Sequence, residues 1–146
     1  MNIVWKTVLV FACAFCSDAC ADVLYQETSL PHETQDAFVV RIAQKMYEHT
    51  RNKGYEVCGA LRFDGVNYFI DIITSERNDE CALPGDTQIY VHTHPINQGF
   101  HFSKDDYVRP GYLIAQNVIK FQNGGQVRTL AKRHGPQQTY TFTSFF

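Results

Sequence analysis

The sequence predicts an α+β domain, a mostly antiparallel central sheet flanked by a long N-terminal helix and a short second helix. Three observations point there. The stretch "SLPHETQDAFVVRIAQKMYEHTRNKGYE" brings its apolar residues back at three- and four-residue spacings. From Tyr55 onward the pattern changes to strand type, broken by turn residues. A brief "SKDDYV" segment with a helix-start pattern then lies between strand-like runs.

The chain opens on "MNIVWKTVLVFACAFCSDACA", which reads as a signal peptide over residues 1–21. Lys6 precedes an apolar run from about Thr7 to Phe15, and Ala19 and Ala21 form an A-x-A cleavage pattern. That run is far shorter than the ~20 residues of a membrane span, so no stable membrane insertion is expected after cleavage. Cys13, Cys16 and Cys20 follow no Leu-small-small triplet of the lipoprotein kind. Residues 22–146 are then one domain, long enough for a core and too short for two.

Within that domain the helix starts on cap-type residues and Pro31. It sets Phe38, Val39, Ile42, Ala43, Met46 and Tyr47 on one face and stops at Gly54. That face is expected to be core. "YEVCGALRF" and "VNYFIDIIT" flank Asp64-Gly65 and predict a hairpin with a two-residue connection. "SERNDECALPGD" is a polar loop, and "TQIYVHTH" is a third strand. After "SKDDYV", cut off by Pro110-Gly111, come "YLIAQ", "VIKFQ", "QVRTLAK" and "TYTFTSFF", with "NGG" joining the middle pair.

Net charge is −2, which leaves no basic footprint for nucleic acid. "AKRH" is the largest basic cluster and is too short to make one. Beyond residue 21 only Cys58 and Cys81 remain. An exported chain with two cysteines is expected to pair them, the alternative being two buried thiols. C-x-x-C spacing is absent, so a thiolate zinc site is not expected.

The chemistry concentrates in "YVHTHPINQGFHFSKDD". On a strand, Gln88, Tyr90, His92 and His94 share one face, and two imidazoles two residues apart can converge on one ion. Taken alone, such a pair also fits a chance surface or core placement. A catalytic zinc needs a third protein ligand and one open position, and Asp106 supplies a carboxylate. Ser103 with Asp106 also has capping-box spacing, which is compatible with holding that carboxylate in place. Asp105 is displaced round the turn. Glu56 is the lone acid in an apolar strand, and Gly59 beside it suggests close approach of another backbone or a ligand. An exposed strand glutamate is the plainer reading of Glu56, and a solvated loop residue that of His101.

Together, Glu56 in "EVCGAL", "HTHP" at residues 92–95 and "SKDD" at residues 103–106 resemble the JAMM (MPN+) zinc metallopeptidase signature. The resemblance runs from roughly Phe38 past Asp106, in the family's order of elements. It implies an MPN/JAB-like (cytidine-deaminase-like) layered domain. It also implies Zn²⁺ held by His92, His94 and Asp106, with Glu56 as general base and Ser103 as oxyanion donor. The implied function is an exported zinc-dependent peptidase, isopeptidase or amidase, secreted or periplasmic, acting on a peptide or protein, cell-wall peptide among the candidates. The alternative is a non-catalytic exported MPN-like binding or toxin/immunity module with a residual metal site. A deaminase would need His-x-Glu and Cys-x-x-Cys, and both are missing.

Overall fold

The structure, a computed structural model, describes residues 22–77, 80–133 and 140–142. The expected signal peptide and most of the closing "TYTFTSFF" lie outside the described residues. Strand β1 (Asp22–Thr28) precedes helix α1 (Gln35–Lys53). Then come β2 (Cys58–Phe63), β3 (Tyr68–Thr74), β4 (Ile89–Thr93), β5 (Gly111–Ala115), β6 (Val118–Asn123), β7 (Gln126–Arg133) and β8 (Tyr140–Phe142). All eight strands form one sheet in the order β1-β3-β2-β4-β5-β6-β7-β8. Neighbours are antiparallel except β4 and β5, which run parallel and make the sheet mixed.

This corrects the expected MPN/JAB-like (cytidine-deaminase-like) layered α+β domain. Among the described residues there is one α-helix against one mixed sheet, not a sheet with helices layered about it. The helix is not N-terminal to the sheet either, because β1 comes first and pairs with β3 at the sheet edge. The expected second helix is a single 3-10 turn, Asp105–Val108. Its cause is local: Arg109 precedes Pro110 and is extended, at φ −148° and ψ 160°, as the proline ring demands of its predecessor.

Two turns set the registers. The β2–β3 connection has four residues rather than two: Phe63 pairs with Tyr68. Asp64 Oδ1 accepts the N–H groups of Val66 and Asn67 at 2.8 and 2.7 Å, an Asx turn that outcompetes a tight hairpin. Between β6 and β7 the turn does have two residues. Gly124 and Gly125 sit at φ 57° and 85°, a pair of positive values that suits glycine and follows the sheet twist.

Helix α1 forms where its ends are satisfied. Thr34 caps it by accepting from Ala37 N–H, and Gly54, left-handed at φ 74°, donates to the Thr50 carbonyl. Asp36 in the first turn and Arg51 and Lys53 in the last complement the helix dipole. Phe38, Val39, Ile42, Ala43, Met46 and Tyr47 are all buried. They cover the sheet face that carries Leu61, Val91, Tyr112 and Ile114. Each of the larger ones, Phe38, Val39, Ile42 and Met46, contributes roughly 1.5–3 kcal/mol on removal from water. Because strand side chains alternate, the opposite face presents Cys58, Tyr90, His92 and Leu113. The chain between β4 and β5, residues 94–110, is the crossover that a parallel pair requires.

Candidate metal centre

The site grows from two cross-strand rows on the face away from α1. One row runs Cys58, His92, Leu113, Lys120, and the next runs Ala60, Tyr90, Gly111, Gln122. Extending the β2–β4 register by two residues sets Glu56 opposite His94. The extension is real, since Thr93 N–H donates to the Val57 carbonyl at 3.0 Å and Val57 N–H donates to Thr93 Oγ1 at 3.0 Å. Thr50 Oγ1 on α1 lies 2.5 Å from the same Thr93 oxygen. Glu56 is held at its backbone as well: its N–H donates to Arg77 O at 2.9 Å, and its carbonyl accepts from Thr74 Oγ1 at 3.0 Å.

His92, His94 and Asp106 come together, with ligand atoms all within 4.8 Å of one another. His92 Nε2 and His94 Nε2 are 3.2 Å apart, and His92 Nε2 is 3.6 Å from Asp106 Oδ1. Zinc bonds of about 2.0–2.1 Å in a tetrahedron put ligand atoms about 3.3–3.4 Å apart; the two edges at His92 bracket that value, and the His94–Asp106 edge lies within 4.8 Å. The donor set, two imidazoles and a carboxylate, could therefore hold a metal ion. The Glu56 carboxylate adjoins the cluster, its Oε1 3.8 Å from His94 Nε2, with a side chain only 9% exposed.

Both imidazoles are poised neutral, the state that offers a lone pair to a metal. Burial pushes His92 down to about 4; the Asp106 charge opposes this, His94 adds to it, and the Tyr112 backbone favours the protonated ring. Burial likewise lowers His94, against Asp106 and the Gly99 backbone.

Asp106 is aimed by four contacts that sequence reasoning largely missed. Ser103 donates to Oδ2 from its backbone N–H at 2.6 Å and from its hydroxyl at 2.7 Å, leaving Oδ1 for the cluster. The Asp106 carbonyl accepts from Tyr90 OH at 2.7 Å and from Gln122 Nε2 at 2.6 Å. Tyr90 stacks on His92, ring centroids 5.1 Å apart, and lies over Gly111, where a Cβ would come within 1.9 Å of Tyr90 Cε1. That Tyr90, Gly111 and Gln122 stand in one row across three strands is visible only once register is known. Ser103 spacing alone was legible.

Cys58 and Cys81 are joined in a disulfide with Cα atoms 6.0 Å apart, beside His92 in register. His101 is exposed and contacts the Phe100 ring, and neither it nor Asp105 belongs to the cluster. A groove of about 540 Å³ lined by Arg62, Phe63, Tyr68 and Ile89 contains none of the cluster residues. No helix of the described residues is long and apolar enough to cross a membrane. Comparison with protein-family models, curated proteins and solved structures found no match to this chain.

Proposed function

We propose that this chain is an exported zinc-dependent hydrolase of amide bonds, a peptidase, isopeptidase or amidase with a JAMM-type site. The observation that carries the reading is the ligand triangle of His92, His94 and Asp106 with the buried Glu56 carboxylate against one corner. Zinc held there would supply Lewis acidity, lowering the pKa of a water and polarising an amide carbonyl. Glu56 takes the proton from the attacking water and returns it to the leaving nitrogen. Its low exposure and its backbone anchors keep that carboxylate from drifting into solvent. Ser103 orients Asp106, and it reaches a developing oxyanion by rotating its hydroxyl away from Oδ2. The disulfide supports an oxidising compartment, in keeping with a secreted or periplasmic protein cleaved after residue 21.

The test is hydrolysis of peptide and isopeptide libraries by wild type and Glu56→Ala at equal zinc content. Turnover by the wild type that falls at least about 10²-fold in Glu56→Ala is expected. Zinc bound by the wild type without cleavage of any amide would contradict the hydrolase and favour a binding module.

A further inference from the structure

Nine large apolar side chains are exposed among the described residues, and four of them, Ile96, Phe100, Tyr107 and Val108, fall within residues 96–108. Scattered apolar exposure is ordinary, whereas clustering marks a contact surface. These four flank Asp106 on the crossover that follows His94, so the chain that supplies the third ligand also carries the apolar side chains. The half-buried Phe102 ring lies 6.3 Å from His92 and 5.9 Å from Tyr107, making an aromatic path from a ligand out to solvent.

The segment is also held. Lys120 Nζ, from the His92 row, donates to Phe100 O at 2.9 Å and sits 5.0 Å over the Phe100 ring. Ser103 and Tyr90 fix it at Asp106. Holding a half-exposed ring in place costs side-chain freedom, and a bound ligand that buries the ring offsets that cost.

From this we infer the substrate class of the proposed hydrolase: peptides with a bulky apolar residue beside the scissile amide, seated on Phe100, Phe102 and Tyr107. The inference rests on the amide-hydrolase reading for its position, since a carbonyl brought to His92, His94 and Asp106 lays its neighbouring residue along this segment. Charged side chains there carry both signs: Lys104 and Asp105 are exposed and adjacent in sequence, and Lys120 lies over Phe100 with the Asp106 carboxylate on the same segment, so no single-sign field selects an ionic residue instead.

Binding separates this from the hydrolase reading. The probes are two acetylated, amidated hexapeptides, one rich in Leu and Phe and one of Gly and Ser, titrated calorimetrically into zinc-treated Glu56→Gln protein. The apolar peptide should bind at least about tenfold tighter. That preference should vanish in the Phe100→Ala, Tyr107→Ala double variant with zinc content unchanged. Equal binding of both peptides, or a preference that survives the double variant, overturns the proposal. So does a dimer in sedimentation that the double variant converts to monomer, because a second copy would then cover the surface. Preference in binding without hydrolysis by the wild type leaves the apolar subsite standing and removes the hydrolase; hydrolysis with no preference does the reverse.

Discussion

Gly111→Ala should weaken the metal centre without touching a ligand. The new Cβ would lie 1.9 Å from Tyr90 Cε1 and 2.2 Å from Cζ, so the ring must leave its place beside His92. The 2.7 Å bond from Tyr90 OH to the Asp106 carbonyl goes with it, as does the stack on His92. Gln122 Nε2 keeps its own bond to that carbonyl, so Asp106 loosens rather than swings free. Accommodating the methyl costs about 1–3 kcal/mol of stability, and the lost hydrogen bond about 1 kcal/mol more. Residues that support ligands typically change metal affinity by about 10–100-fold, and Gly111→Ala should fall at the upper end. Tyr90→Phe removes the hydroxyl but keeps the ring, and should weaken zinc by about tenfold or less. Competition against a chromophoric chelator reads the affinities, and thermal melts of the metal-free proteins read the stabilities. A folded Gly111→Ala protein with parental zinc affinity would refute the reasoning, as would Tyr90→Phe proving the more damaging of the two.

Two further outcomes follow from burial and cross-linking. In the metal-free protein burial holds His92 at about 4, while the unfolded chain titrates near ~6.5. The unfolded state therefore takes up protons first as pH falls. Stability is full above about pH 6.5 and declines until about pH 4, by on the order of 3 kcal/mol from this residue. Urea midpoints in chelator should show the decline, and His92→Gln should flatten it; an equal slope in both proteins would contradict the assignment. Cys58 and Cys81 are 23 residues apart, and closing such a loop stabilises by about 3 kcal/mol on the chain-entropy account. The Cys58→Ser, Cys81→Ser double variant should lower the denaturant midpoint accordingly, and an unchanged midpoint would count against it.

How much was legible depended on how local the cause was. The buried face of α1 follows from the spacing of Phe38, Ile42 and Met46, and the Gly124-Gly125 turn from glycine's freedom at positive φ. Strand β1 was not legible. Val23 is exposed, and the register slips between Val23 and Tyr25, so no clean alternation marks it. The second helix failed because Pro110 constrains Arg109, and the β2–β3 hairpin lengthened because the Asp64 side chain captured two backbone N–H groups. At the site, alternation alone put His92 and His94 on one face. The parallel pairing of β4 with β5, which brings Gly111 and Gln122 into the Tyr90 row, needed long-range contacts that no local pattern encodes.

The central claim is a metal ion on three side chains, and metal analysis of purified protein tests it most directly. Wild type and Glu56→Ala should each carry about one equivalent of zinc, because Glu56 adjoins the triangle without completing it, while His92→Ala should carry none. Wild type that binds no zinc after dialysis against it, or His92→Ala that binds it fully, would contradict the account.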